Sequence, residues 1–257
     1  MGTVLVERSS RGLALTPAGQ ELHTAAERVR SQLSAVTRRL ADHNDDSIRG
    51  TVRVSFPQIL GEPVHGLLAP LTQTHPHVTL ELVGDDRRLN LVSGEAEIVL
   101  RLTTSPAPDL FGLRLGAMRL GVYASRAYPM AEQPVDASAH RWVDWSTRCR
   151  DEPAVEWLAE SFPERQIVMT TEHGLGTLNA VRAGMGIGVL PELVATELVH
   201  LETLPDDRFP ILWLLCSPAV RQRPAVRVVM DALKRLDQAF PTALVRPRSR
   251  PDEPKRA

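Results

Sequence analysis

Residues 181–191 read Val-Arg-Ala-Gly-Met-Gly-Ile-Gly-Val-Leu-Pro, and the change of pattern inside them decides the fold. Upstream, residues 174–183 are predicted to form a helix, and a glycine is a common residue at a helix end. Downstream, residues 187–190 form a short apolar run typical of a buried strand. The glycines do not match G-x-G-x-x-G, and a dinucleotide-binding loop follows a strand, whereas here a strand follows the loop. The stretch therefore predicts a helix-to-strand connection in an α/β domain.

The alternation of strands and helices continues on both sides of this stretch. Downstream of residue 141, the predicted strands cover residues 142–145, 166–170, 198–201 and 211–216. The predicted helices of this half cover residues 153–161 and 191–196, with a closing helix that begins near Pro224. Upstream, strands are predicted over residues 51–56, 78–82, 97–102, 113–115 and 119–124, and helices over residues 60–75 and 87–92. This order is typical of a parallel-sheet α/β protein.

A long amphipathic helix is predicted from Thr16 to Asn44. Thr16 suits the N-cap and Pro17 the first helical position. Apolar residues recur at spacings of four and three, as in a coiled-coil seam, at Leu22, Ala26, Val29, Leu33, Val36 and Leu40. Because the seam covers only about two and a half heptads, an ordinary helix packed on its own domain stays an alternative to pairing between subunits. The polar faces have no second apolar stripe, which favours pairing.

The composition is that of a globular protein of one to two domains. In its 257 residues, 30 Lys and Arg balance 31 Asp and Glu, which argues against a protein that coats nucleic acid. The sequence has neither a run of 18 apolar residues nor a secretory signal pattern, so a cytoplasmic location and no membrane partner are expected. Cys149 and Cys216 lack neighbours at metal-ligand spacing, which predicts two reduced thiols and no metal or other cofactor.

The motifs of common enzymes are absent from the sequence, which predicts that the protein is not an enzyme. A better candidate for binding is the turn before the helix at Gly174, which Thr171 is predicted to cap. Free backbone N–H groups and the helix dipole favour an anion there. Pro57, Gln58, Arg101 and Thr103 follow predicted strands, and ligands of open α/β sheets bind beyond the carboxyl ends of strands.

Four segments resemble LysR-type bacterial transcriptional regulators. Residues 5–19, Leu-Val-Glu-Arg-Ser-Ser-Arg-Gly-Leu-Ala-Leu-Thr-Pro-Ala-Gly, resemble the wing of a winged helix-turn-helix and the start of the linker helix, with Val6 in place of the usual Phe. Residues 50–54 are similar to the first strand of the effector domain, and residues 97–101 to its "D-[IL]-A-[IL]-R" strand, with Glu97 in place of Asp. Residues 181–191 resemble "G-x-G-[IV]-x-x-L-P". The resemblance covers about residues 1–240.

The resemblance implies an α/β effector domain of the two-lobed, type 2 periplasmic-binding-protein-like class, preceded by a wing and a dimerisation helix. The implied domains are a remnant of the winged helix-turn-helix (1–16), a linker helix (17–47), lobe I (48–125 plus 217–240), lobe II (126–216) and a disordered tail (241–257). The implied effector site, in the cleft between the lobes, consists of Pro57, Gln58, Ile59, Arg101, Leu102, Thr103, Ala124, Ser125, Trp145, Ser146, Thr171, Glu172, His173 and Gly174.

The family carries a recognition helix before the wing, and residues 1–3 stand where that helix ends. Arg8 and Arg11 of the wing are the expected DNA contacts, but base readout needs the helix, so this chain is expected to lack sequence-specific DNA binding. The leading hypothesis is a LysR-type regulator that binds a small-molecule effector, with an anion as the candidate class, forms a homodimer or homotetramer, and acts on DNA when the full helix-turn-helix is present. The alternative is a two-lobed solute-binding protein for transport.

Overall fold

A computed structural model describes residues 3–9, 12–41, 48–85, 96–103, 106, 110–131, 134–136, 139–146 and 153–239. The strands are β1 Val6–Ser9, β2 Gly12–Leu15, β3 Gly50–Phe56, β4 Val78–Gly84, β5 Ile98–Leu102, β6 Phe111–Ala117, β7 Leu120–Ala124, β8 Arg141–Trp145, β9 Gln166–Thr171, β10 Gly188–Pro191, β11 Val199–Thr203 and β12 Ile211–Cys216. The helices are α1 Pro17–Ala41, α2 Gly61–Leu68, α3 Leu71–Thr74, α4 Pro153–Ser161, α5 Gly174–Arg182 and α6 Pro224–Lys234. The predicted helix at 87–92, the end of the linker at 42–47, Cys149 and the predicted tail at 241–257 lie outside the described residues.

The hairpin of β1 and β2 leads directly into α1. The two strands pair antiparallel from Val6 with Leu15 to Ser9 with Gly12. Thr16 caps α1 as predicted, because its hydroxyl oxygen accepts a hydrogen bond from the Gly19 N–H at 3.1 Å. The same hydroxyl donates to the Val4 carbonyl at 2.7 Å, so the cap also joins the helix to the segment before the hairpin. A Cβ at Gly19 would lie 1.9 Å from the Leu5 carbonyl oxygen, so only glycine fits this contact.

The chain divides into two compact units, each with its own core. Unit one comprises the chain up to Arg114 together with Trp213–Arg235, and unit two comprises Leu115–Leu212 together with the chain from Leu236 onward. The sheet of unit one has the order β4-β3-β5-β12-β6, and β3 pairs parallel with both β4 and β5. Its core contains the buried residues Val52, Val54, Ile98, Leu100, Leu214, Val226, Val229 and Leu233.

Unit two contains a three-stranded sheet of order β10-β7-β11 and the parallel pair β8-β9. A parallel bridge between Trp142 and Ile187 connects them, with Val143 N donating to the Ile187 carbonyl and Ile187 N to the Arg141 carbonyl, each at 2.8 Å. A Cβ at Gly186 would lie 2.4 Å from the Arg141 carbonyl oxygen. The glycines of the opening stretch therefore allow the approach to β8, and Gly184, with φ of +74°, ends α5 as predicted.

Four sequence predictions need correction. The helix predicted over 60–75 is divided into α2 and α3, because Pro70 lacks the N–H that a continuous helix would use. The helix predicted over 191–196 is a single 3₁₀ turn, Glu192–Val194. Strand β7, assigned to lobe I, lies between β10 and β11 in unit two, and β12, assigned to lobe II, lies in the sheet of unit one. Pairing partners distant in sequence decide where these two strands lie.

Candidate functional site

In unit one, the predicted site residues meet at one edge of the sheet. Because β4, β3 and β5 are parallel neighbours, their carboxyl ends lie side by side. Pro57, Gln58 and Ile59 follow β3, whereas Arg101 and Leu102 end β5 and Thr103 follows it. The structure thus brings all six predicted residues of this unit to a single edge.

Arg101 is held at this edge by polar contacts with its own sheet. One terminal nitrogen of its guanidinium donates to the Leu100 carbonyl at 3.2 Å, and the other lies 3.5 Å from the hydroxyl of the fully buried Ser55. The side chain is half-buried, so its charge is partly desolvated and interacts more strongly with an anion than a fully exposed charge would. Thr103 is positioned from a third strand, since the Trp213 indole donates to the Thr103 carbonyl at 3.1 Å.

The sequence interpretation missed the end of β4. Gly84 is its last residue, and a Cβ there would lie 3.3 Å from the Gln58 side chain. Asp85, which is buried, donates its backbone N–H to the Phe56 carbonyl at 2.9 Å. The signal that could have identified both residues is the predicted strand at 78–82, whose parallel pairing with β3 places its end beside Pro57.

In unit two, the ends of β8 and β9 form a second set. Trp145 pairs with Thr171, and the Ser146 N–H donates to the Thr171 carbonyl at 2.7 Å. The indole N–H of Trp145 is buried and has no hydrogen-bond partner in the part of the chain that the structure describes. Buried donors are normally satisfied, so this N–H is a candidate hydrogen-bond donor to a ligand.

The prediction that Thr171 caps α5 is wrong. The N-cap of α5 is His173, in extended conformation and without a side-chain capping bond. The buried Thr171 hydroxyl instead lies 2.8 Å from the Thr177 hydroxyl, and Gly176 leaves room for this contact because a Cβ there would lie 3.3 Å from Thr171. Thr171 therefore anchors the turn, and among the described residues the backbone N–H groups of Gly174 and Leu175 have no partner. Unsatisfied N–H groups and the positive dipole end make this helix start suitable for an anion.

Ala124 and Ser125 do not join this set. They follow β7, in which Tyr123 pairs with Gly188 and Leu120 with Pro191. Strand β8 is parallel to the chain at Ile187, so Trp145 lies toward the Pro191 end of β10 and Ala124 toward its Gly188 end. The separation is three residues of strand, or about 10 Å. Ser125 is also occupied locally, since its hydroxyl oxygen accepts from the Ala127 N–H at 3.3 Å.

A family model described as the LysR substrate binding domain matches residues 45–238, which is most of the chain. The chain belongs to the LysR family. Its α/β fold is accordingly the type 2 periplasmic-binding-protein-like fold of LysR effector domains.

The relatives of this LysR chain are transcriptional regulators. It is 26% identical over 254 residues to the probable HTH-type transcriptional regulator LtrA of Klebsiella pneumoniae, covering 91% of this chain and 80% of that protein. It is 27% identical over 196 residues to the HTH-type transcriptional activator AaeR of Escherichia coli, covering 73% of this chain and 62% of that protein. The solved structure of CrgA, a LysR-type regulator from Neisseria meningitidis, matches with a TM-score of 0.59 and 21% identity, over 93% of this chain and 84% of that one. These matches favour a regulator over the transport protein weighed above.

The remaining predicted residues of the LysR chain lie in its amino-terminal part. On α1, Ala26 is exposed, and Leu22, Val29 and Leu33 are 54%, 55% and 64% exposed. The side chains of Val36, Leu40 and Arg8, and the whole of Arg11, lie outside the described residues. The backbone of β1 places residue 8 opposite Leu13. The predicted seam is thus presented to solvent over its described part.

The described residues of the LysR chain contain no group of three or more His, Cys, Asp or Glu side chains that could hold a metal ion. Cys216 is a buried free thiol, and burial raises its pKa above the ordinary value. Among the described helices, none is long and apolar enough to cross a membrane.

Proposed function

We propose that this LysR-type regulator binds a small organic anion, and that the strand ends of unit one and the α5 turn of unit two each supply groups that suit such a ligand. The observation that carries the proposal is the start of α5, where the backbone N–H groups of Gly174 and Leu175 have no partner among the described residues. The unpartnered Trp145 indole N–H belongs to the neighbouring strand end. These groups donate hydrogen bonds and accept none, which suits carboxylate or phosphate oxygens.

Arg101 supplies the positive charge in this proposal. Its guanidinium presents paired donors that match a carboxylate, and its half-buried position reduces screening by water. Gln58, held beside the end of β4, adds an uncharged amide that can distinguish one organic acid from another. The effector class is therefore a small organic acid, whose charged group suits either Arg101 or the helix start.

We further propose that effector binding changes how the subunits associate and how the regulator contacts DNA. An effector changes a regulator only if it binds one conformation better than another. The exposed apolar stripe of α1 is the proposed contact between subunits, and the wing hairpin, with Arg8 and Arg11, the proposed DNA contact. A cytoplasmic location is part of the proposal because the promoter lies there.

Thermal unfolding with a panel of acetate, succinate, citrate and benzoate tests the effector site. At least one acid is expected to raise the Tm of the unaltered chain, because a ligand that binds only the folded state stabilises it. Arg101→Gln is expected to remove most of this rise while the Tm without ligand changes little. Arg126→Gln, which alters an exposed arginine of unit two, is the matched control and is expected to keep the full rise.

A second pair of variants tests the α5 turn. Leu175→Pro removes one of the two N–H donors at a position where the first turn of a helix tolerates proline, so the helix is retained and the Tm rise is expected to shrink. Trp145→Phe removes only the indole donor. If both variants and Arg101→Gln keep the full stabilisation, the proposed effector site is wrong.

A further inference from the structure

Unit one contains a cavity that is separate from the strand ends described above. Its volume is about 370 Å³. It is lined by β6, by Arg221 and Gln222 before α6, and by one face of α6. Strand β6 is the edge strand at the end of the sheet opposite β4, so β12 and β5 lie between this cavity and the end of β3. All of its lining residues belong to the same compact unit.

The inner wall of the cavity is apolar. Phe111 and Leu113 alternate along β6 and therefore point to the same face of the sheet. Gly112, between them, faces the other side, where a Cβ would lie 3.0 Å from Leu215 and 3.4 Å from Trp213. Met230 of α6, which is buried, completes the apolar wall. A thioether and an aromatic ring adapt well to a flat or branched hydrocarbon group.

The rim of the cavity is positively charged. Arg221, Arg227 and Lys234 outnumber the single acidic residue, Asp231, so the lining carries a formal charge of +2. Arg227, Met230, Asp231 and Lys234 share one face of α6, at spacings of three and four residues. Within the described chain, neither of the two basic residues on α6 forms an ion pair within 4 Å with Asp231. Both basic side chains are exposed, and the lining keeps a net positive charge.

Arg221 is oriented by an aromatic contact. Its guanidinium carbon lies 3.6 Å from the centroid of the Phe111 ring, which is a close cation-π stack. This contact fixes the position of the guanidinium, whose N–H groups match a planar acceptor such as a carboxylate. The charged and the apolar parts of the lining thus meet at this residue pair.

We propose that this cavity is a second ligand site, which binds an organic anion with an apolar body, such as an aromatic carboxylate. The ring of the ligand packs against Leu113 and Met230 beside the Phe111–Arg221 pair, and its carboxylate is bound by Arg221 and Arg227. The cavity volume is within the range of small-molecule sites. This site is independent of the effector site proposed above, because the two share no residue.

Isothermal titration calorimetry with 2-naphthoate tests the proposal on the full chain. Binding is expected in the unaltered protein, and 2-naphthamide, which has the same shape without the charge, is expected to bind at least tenfold more weakly. Arg221→Gln and Arg227→Gln are each expected to weaken 2-naphthoate about tenfold, and the control Arg126→Gln to leave it unchanged. Leu113→Trp, which fills the cavity, is expected to abolish binding of both compounds.

The variants also distinguish this site from the effector site. Arg101→Gln is expected to leave the affinity for 2-naphthoate at the cavity unchanged, even if it removes a second binding event from the titration. The proposal is overturned if 2-naphthoate does not bind, if the amide binds equally well, or if Arg101→Gln alone removes all binding. Circular dichroism of each variant verifies that the fold is retained.

Discussion

The pair of Asp144 and Arg165 is a deeply buried ion pair of unit two. Only 4% of the Asp144 side chain and 10% of the Arg165 side chain are exposed. The Arg165 guanidinium donates twice to one Asp144 carboxylate oxygen, at 2.9 and 2.5 Å, and also to the carbonyls of Leu158 and Phe162. The other Asp144 oxygen accepts from the Trp145 N–H at 2.7 Å. The pair thus joins β8 to the end of α4 immediately before Trp145, in the proposed effector site.

Removal of one partner is expected to destabilise unit two strongly. Asp144→Ala leaves the arginine charge buried without its partner, and such a loss costs about 3–5 kcal/mol. The control is Glu192→Ala, which breaks the ion pair with Arg119. The Arg119 side chain is 39% exposed and the Glu192 side chain 59% exposed. Exposed pairs contribute about 1 kcal/mol or less. Urea denaturation measures both changes, and equal losses for the two variants would contradict the prediction.

Tyr123 gives a prediction about alkaline pH. Burial, reinforced by the negative charge of Glu192 and partly offset by Arg119, raises the pKa of Tyr123 from 10 to about 12. Between these values the unfolded chain loses the phenolic proton and the folded chain keeps it, so this group lowers stability as the pH rises above 10. The chain has two tyrosines, and Tyr128→Phe leaves Tyr123 as the only phenol.

Absorbance at alkaline pH tests the Tyr123 prediction in the Tyr128→Phe variant. At pH 11, about one tenth of the phenol is expected to be ionised in the folded chain, against about nine tenths for an ordinary phenol. The same titration in guanidinium chloride is the control and is expected to show the ordinary value. Ionisation near pH 10 in the folded chain, with circular dichroism unchanged, would disprove the assignment.

At the scale of elements, the described part of α1 has an exposed apolar stripe. Three of its described seam residues are more than half exposed, although a leucine or valine contributes about 1.5–3 kcal/mol when it is buried. The helix has 25 residues and begins at a well-capped end, and its described seam residues Leu22, Val29 and Leu33 lie at spacings typical of one helix face. This arrangement favours pairing between subunits over packing on its own domain.

Polar substitutions along the stripe are expected to weaken self-association. Leu22→Gln, Val29→Gln and Leu33→Gln together remove apolar surface that would be buried in a dimer, and the dissociation constant is expected to rise at least tenfold. The control changes Gln20, Thr24 and Arg28 of the same helix to serine, away from the seam. Sedimentation velocity measures both, and an unchanged mass distribution for the first variant would exclude this seam as the contact.

At the scale of the whole molecule, each unit buries its own core. Leu100 of β5 is fully buried in unit one, and Leu158 of α4 is fully buried in unit two. The chain passes between the units next to Arg114, Leu212 and Arg235. Because each unit packs its own core, we expect local unfolding to be confined to one unit at a time.

Hydrogen exchange tests this independence with two matched variants. Leu100→Ala creates a cavity that costs about 2–5 kcal/mol, so the amides of β3, β4 and β5 are expected to exchange at least thirtyfold faster. The amides of β8 and β9 are expected to change less than twofold. Leu158→Ala is expected to give the reverse pattern. Uniform acceleration through both units in either variant would show a single cooperative structure.

The sequence by itself determined the features that depend on near neighbours in the chain. Thr16 caps α1 through the Gly19 N–H three residues away, and Gly184 ends α5 by its own positive φ. The buried face of α6 follows from its spacing alone, and its predicted residues Val226, Val229, Met230 and Leu233 are all buried. Such signals can be recognised in sequence because the atoms that interact lie within one or two turns of the same element.

Only the tertiary structure decided which strands are neighbours. Alternation in the sequence predicted β7 and β12 as strands. Their hydrogen-bonding partners lie far away in the chain, and they place β7 in the sheet of unit two and β12 in the sheet of unit one. The same pairing removes Ala124 from the strand ends that hold Trp145 and Thr171. The cavity beside Phe111 joins segments separated by about a hundred residues. Pairing register and cavities arise from long-range packing, which local residue patterns do not contain.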